Sequence, residues 1–186
     1  YLDFGDKWGK EINVNLEGMA LTWKGVEKEE EYKFFNTSGN KKFEGWCNGD
    51  KIAEGDGKYV RMQIPDGVPH VIYRDEANSG RATVMKYTGS GTTGWEHLGV
   101  PGFTAAVVEF TDIFAYGGTI YTAFADGVYG GRTSVMKYDG GWEYVGNPGF
   151  AGVGARHVRM YIDAGIIYTG YGDGSGSYFA RCMKYY

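Results

Sequence analysis

Two tryptophan–glutamate pairs stand at matching places in this sequence, each directly after a glycine. They are Trp95-Glu96 and Trp142-Glu143. An indole ring offers a flat apolar face, and a neighbouring carboxylate accepts hydrogen bonds from hydroxyl groups. This combination suits a sugar ring, which has an apolar C–H face and a polar rim. We therefore treat both pairs as candidate ligand-binding groups, with the sealing of neighbouring sheets as the alternative role of the tryptophans.

Arginines and aspartates complete the candidate ligand set. A guanidinium donates hydrogen bonds to hydroxyls, and an aspartate before a glycine-containing turn commonly accepts backbone N–H groups. Calcium is the alternative ligand of the aspartates, but it prefers roughly six to eight oxygens, several of them carboxylates, and one such loop supplies too few. We therefore expect no cofactor and no resident metal. The residues are Arg81, Arg132, Asp75, Asp126 and Asp173.

These candidates belong to a repeated unit. The tetrapeptides at 84–87, 135–138 and 182–185 read Val-Met-Lys-Tyr, with Cys182 replacing valine in the last copy, and they start 51 and then 47 residues apart. In every copy an aspartate lies nine positions before the tetrapeptide and an aromatic residue lies two before that aspartate. A period of this length is typical of repeat architectures such as propellers.

Each unit reads as four short strands separated by clusters of glycine, aspartate and asparagine. Alternating side chains and 32 glycines favour strands joined by tight turns. Four strands cannot bury both of their faces alone, so the units must pack side by side, as in a β-propeller. The first third follows the same order in degenerate form.

The sequence therefore predicts a single all-β domain, a four-bladed propeller. The last copy lacks a fourth strand, which the N-terminal segment around Trp8 is predicted to supply. The alternative is that the chain is a segment of a larger propeller. The predicted blades are approximately 11–46, 58–98, 109–145, and 156–186 plus 1–9.

The run 120–126, the segment 135–139 and the pair Trp142-Glu143 together resemble a kelch-type blade. The Gly-Gly-Trp turn at 140–142 also resembles the lectin propellers of the tachylectin kind. The resemblance covers residues 58–186 well. It implies the propeller architecture and a general binding role.

Charged residues also recur on the innermost predicted strands. Arg61, Asp112 and Arg159 hold equivalent positions there and are expected to meet as a channel cluster. We expect a satisfied network of ion pairs. The alternative is a site for an anion or another small ligand.

Composition narrows the possible partners. The net charge is −4 and the basic residues are dispersed, which disfavours nucleic acid. No apolar run approaches the roughly 20 residues that cross a bilayer, so membrane insertion is not expected. The start at Tyr1 suggests processing, and we expect an extracellular or cell-surface protein. Cys47 and Cys182 hold non-equivalent positions, so we expect no disulfide and a buried Cys182.

Signatures of catalysis are absent from the sequence. The three histidines lack metal-ligand spacing, and there is no nucleophile elbow. The prediction is therefore a non-enzymatic extracellular module that recognises carbohydrate or glycoprotein through repeated sites between blades. A structural protein that mediates protein–protein assembly or self-assembly is the alternative, and a propeller glycosidase with paired carboxylates is a further one.

Overall fold

The computed structural model describes 12–16, 19–24, 31–36, 42–44, 52, 55–89, 94–174 and 179–186, and the first four of these ranges as strands only. The chain divides into two compact units, Tyr1–Lys51 and Ile52–Tyr186. Each unit is built from antiparallel sheets. Within the described segments, no helix has the length and apolar character needed to span a membrane.

The first unit contains one four-stranded sheet in which each strand pairs with the next along the chain. The degenerate first third of the sequence therefore forms the same kind of sheet as the later copies. The predicted closing segment around Trp8 and the tryptophan at position 46 lie outside the described residues. The strands are β1 (Ile12–Leu16), β2 (Met19–Lys24), β3 (Glu31–Asn36) and β4 (Lys42–Glu44).

The second unit contains three sheets, again with strands in sequence order. The second sheet comprises β5 (Gly57–Gln63), β6 (His70–Asp75), β7 (Arg81–Tyr87) and β8 (Trp95–His97). The third comprises β9 (Val108–Tyr116), β10 (Thr119–Asp126), β11 (Arg132–Tyr138) and β12 (Trp142–Tyr144). The fourth comprises β13 (Ala155–Asp163), β14 (Ile166–Asp173) and β15 (Ala180–Tyr185).

The sheets of the second unit pack face to face, with β9 between β5 and β13. Strand alternation divides the core, because successive side chains point to opposite faces. Phe124 packs with Ile72 and Val84 of the second sheet. Its neighbours Ala123 and Ala125 belong to the cluster shared with the fourth sheet. The third sheet is therefore buried on both faces.

The all-β prediction is confirmed by these antiparallel sheets. The number of blades and the closure by the N-terminal segment stay predictions. Cys182 differs from expectation: it is an exposed free thiol. No described strand covers the outer edge of β15, whereas β12 covers the equivalent strand β11.

Candidate active site

The ligand set predicted from the repeat does not converge on one place within a sheet. Arg132 pairs with Asp126 at one end of β11, and Tyr138 pairs with Trp142 at the other end. Six residue steps at roughly 3.3 Å each separate the two ends by about 20 Å. The second sheet repeats this arrangement: Arg81 pairs with Asp75, while Trp95 pairs with Tyr87 at the far end.

Trp142 is held by neighbouring aromatic and backbone groups. Its ring stacks on Phe103 with centroids 4.2 Å apart, and its Nε1 donates to the Leu98 carbonyl at 2.9 Å. Glu143 forms an ion pair of 2.9 Å with Lys137. Trp95 meets Tyr87 edge-on at 5.4 Å. Trp142 thus seals the second sheet to the third, and Glu143 is engaged within its own sheet.

The three recurrent aspartates are buried in their turns. Asp126 accepts from the Val128 amide at 3.0 Å, the Ser134 hydroxyl at 2.9 Å and the Tyr144 hydroxyl at 3.0 Å. Asp75 likewise accepts from its own turn, and Asp173 pairs with Arg181 at 2.6 Å. Among the described residues, no group of three or more histidine, cysteine, aspartate or glutamate side chains is placed to hold a metal ion. The geometry gives these carboxylates a structural role.

The sequence analysis did not predict that hydroxyl side chains donate hydrogen bonds to two of these aspartates. Thr83 and Ser134 donate to Asp75 and Asp126 and accept from the Gly102 and Gly149 amides at 2.8 and 2.9 Å. These contacts fasten the long connection after each fourth strand. The signal was present in the sequence, since a hydroxyl residue directly precedes Val-Met-Lys-Tyr in the first two copies.

A row of aromatic residues crosses the first strands of the three sheets. Tyr59, Phe110 and His157 have positive φ angles of 55°, 52° and 53°. Each lies where the pairing of its strand shifts register. The Tyr59 and Phe110 rings are 4.9 Å apart, and the Phe110 and His157 rings are 5.2 Å apart. Left-handed backbone at non-glycine residues is strained and concentrates at functional sites.

The third sheet bridges both of its neighbours beside this row. The Thr111 hydroxyl donates to the Tyr59 carbonyl, and the Asp112 carboxylate accepts from the Met160 amide at 2.7 Å. The other two copies carry Val-Arg in place of this Thr-Asp dipeptide. The departure of the middle copy from the repeat thus places one acid among three first strands.

Asp112 is the perturbed acid of this region. Only 8% of it is exposed, and burial raises the pKa of its carboxyl above the ordinary value of 3.8. Hydrogen bonds from the Met160 and Ile113 amides and the charges of Arg159 and Arg61 oppose that rise in the pKa. Desolvation is the largest effect because it disfavours the charged form. The residue therefore holds its proton to higher pH than an exposed aspartate.

Of the expected channel cluster, the charges of Arg159 and Arg61 both act on Asp112 and lower its pKa. Each arginine also donates from Nη1 to the preceding carbonyl, of Val60 or Val158, at 2.8 Å. With the aromatic row, these groups offer a proton donor, guanidinium donors and apolar ring surface. We call the set the inner-strand site. Its members are Tyr59, Arg61, Phe110, Asp112, His157 and Arg159.

Comparison with known proteins shows similarity in fold only. No protein-family model and no curated protein matches the sequence. An arginine-to-alanine triple mutant of AofleA from Arthrobotrys oligospora is 12% identical with a TM-score of 0.52, over 95% of this chain and 53% of that one. This chain therefore spans about half the length of that protein.

Two further solved structures are of proteins named for carbohydrates. Xyloglucan PUL GH43B of Bacteroides ovatus is 12% identical with a TM-score of 0.46, over 94% of this chain and 37% of that one. The endo-arabinase of Bacteroides thetaiotaomicron VPI-5482 is 11% identical with a TM-score of 0.46, over 100% of this chain and 79% of that one.

These comparisons correct two predictions. The non-enzymatic carbohydrate-binding module predicted from sequence is wrong, because most similar structures are glycosidases with propeller folds. The resemblance to the kelch and lectin families is not supported either, because no family model matches. At this level of identity, the comparisons establish the propeller-like fold alone.

Proposed function

We propose that the protein cleaves glycosidic linkages and that Asp112 is the proton donor. The observation that carries the proposal is a single buried carboxyl with a raised pKa beside a row of aromatic rings. Glycoside cleavage requires an acid that stays protonated near working pH. Burial moves the pKa of Asp112 upward, in the direction that this role requires, and the other acidic group with a resolved shift among the described residues, Glu76, is moved downward.

The remaining groups of the inner-strand site fit a sugar substrate. Tyr59 and Phe110 are half-buried, so part of each ring is available to the C–H face of a pyranose or furanose. Arg61 and Arg159 keep guanidinium donors that can bind hydroxyls at the rim of the ring. Asp112 would protonate the bridging oxygen as the bond from the anomeric carbon to that oxygen breaks; the oxygen of a water molecule would then bond to the anomeric carbon, and the proton that this water loses would balance the one that Asp112 gave.

Glycosidases combine such an acid with a second carboxylate that activates water or attacks the anomeric carbon. The charged groups that act on Asp112 are both arginines. The proposal therefore assigns the acid and the substrate-binding groups, and it leaves the second carboxylate unassigned.

The test replaces Asp112 by asparagine. An asparagine Oδ1 can still accept from the Met160 amide, so D112N preserves the bridge between sheets but removes the titrating proton. Wild type and D112N are compared on a panel of aryl glycosides and plant polysaccharides, with release of reducing ends as the measurement. We expect activity on at least one substrate and a loss of at least about 100-fold in D112N.

Asp163 provides the matched control. It lies on β13 with Arg159 and is exposed. D163N should retain wild-type activity. Two results would overturn the proposal: no hydrolysis of any substrate by the folded wild type, or full activity in a folded D112N.

A further inference from the structure

The outer edge of the fourth sheet carries a cavity suited to an aromatic side chain. A cavity of about 170 Å³ lies between the third and fourth sheets. It is lined mainly by apolar side chains. Among them are Val135, Val145, Phe150, Ile167, Met183 and Tyr185.

The same place between the second and third sheets is occupied by Trp142. There the indole contacts Leu98, Phe103 and Tyr138. The residues 47 positions further along the chain are Val145, Phe150 and Tyr185, which all line the cavity. The cavity is therefore the counterpart of the tryptophan pocket without its tryptophan.

A second cavity of about 520 Å³ adjoins the first and includes Tyr171, Asp173 and Arg181. Its counterpart in the third sheet is the surrounding of Tyr144, whose hydroxyl donates to Asp126 at 3.0 Å. Trp142 and Tyr144 are two residues apart on β12, so they point to the same face. The two cavities thus match the two side chains that β12 contributes beside the third sheet.

Exposure supports this reading. Met136 on β11 is 5% exposed, whereas the equivalent Met183 on β15 is 38% exposed. Every residue of β15 is exposed, and Tyr185 is 50% exposed. Among the described residues, β15 pairs only with β14. Its other edge therefore offers unpaired backbone groups beside apolar side chains.

We propose that the edge of β15 binds one further antiparallel strand from a polypeptide segment with tryptophan at one position and tyrosine two positions later. Backbone pairing with β15 supplies the alignment, and the indole fills the cavity lined by Phe150. The tyrosine enters the second cavity, toward Asp173 and Arg181. This surface is independent of the inner-strand site.

A synthetic peptide tests the surface directly. The peptide Gly-Gly-Trp-Glu-Tyr-Val-Gly copies residues 140–146, and a control peptide carries alanine in place of tryptophan. Binding to the intact chain is measured by fluorescence anisotropy, and backbone protection by hydrogen exchange. We expect the tryptophan peptide to bind at least tenfold more tightly and to slow exchange at 180–185. F150A should reduce that affinity about tenfold.

A tethered version removes the dependence on peptide affinity. The same seven residues are appended after Tyr186, in a tryptophan form and an alanine form. We expect a clearly higher Tm for the tryptophan form. The proposal fails if the two tethered forms melt together, if both peptides bind equally, or if 180–185 are already protected in the free chain, as occupation by residues 5–9 or by a second copy would require.

Discussion

One buried carboxyl couples the stability of the fold to pH. Burial raises the pKa of Asp112 above 3.8, so the folded state binds this proton more tightly than the unfolded chain. The stabilisation is complete below the unfolded pKa and is lost as pH rises through the folded pKa. Urea unfolding of wild type and D112N across this range should show wild type losing stability relative to D112N, by at most about 1.4 kcal/mol per pH unit.

The comparison with D112N isolates the titration, since asparagine keeps an acceptor for the Met160 amide. A difference in unfolding free energy that stays constant with pH would show that burial does not shift the Asp112 pKa. A difference that grows in the opposite direction would show that the arginines outweigh desolvation.

Residue types alone revealed part of the inner-strand site. The equivalent positions of Arg61, Asp112 and Arg159 were predicted from the repeat, and in the structure the charges of both arginines act on Asp112. The row of aromatic rings was not predicted, because it depends on the backbone conformation of the first strands. A tyrosine or phenylalanine in the sequence does not indicate the positive φ angle that Tyr59 and Phe110 have. The candidate set that includes Trp142 and Arg132 stays a prediction. Recurrence along the chain identified its members, whereas only the structure shows that Arg132 and Trp142 lie at opposite ends of β11.

At the scale of the element, the hairpin turn between β13 and β14 contains an alanine with left-handed backbone, which alanine adopts poorly. β13 and β14 are joined by Ala164 and Gly165, with φ angles of 47° and 80°. The equivalent turn between β9 and β10 uses Gly117 and Gly118. Asparagine tolerates left-handed backbone far better than alanine, so A164N should raise the free energy of unfolding by about 1 kcal/mol. Thermal or denaturant unfolding measures the change.

The adjoining glycine is the matched control for that turn. G165A places a side chain at φ 80° and should lower stability. Because Ala164 is exposed, a packing effect cannot mimic the result. Destabilisation by A164N would show that the hairpin does not adopt this turn.

At the scale of the whole molecule, the repeat predicted four sheets and their strand order, because spacing and alternation are periodic in the sequence. No periodic feature of the sequence predicted the division into two compact units. The sequence also predicted closure of the last sheet by the segment around Trp8, and this stays a prediction because that segment lies outside the described residues.

A substitution in the core between two sheets of the second unit should increase hydrogen exchange in those two sheets more than in the remaining sheet. Phe124 is fully buried against the second sheet, while Ile167 belongs to the cluster between the third and fourth sheets. F124A removes a ring and should cost about 3 to 5 kcal/mol. In repeat architectures each unit is stabilised by its neighbours. Hydrogen exchange should therefore accelerate in β6 and β7 more than in β14.

I167A is the matching substitution in the core between the third and fourth sheets. Hydrogen exchange should accelerate in these two sheets and change least in β6. The two variants together separate a neighbour effect from general loosening, because each leaves a different sheet intact. Equal acceleration across all three sheets in both variants would mean that the second unit unfolds as one cooperative body. A damaged sheet would then lower the stability of the inner-strand site as a whole, rather than only the side of it that the sheet supports.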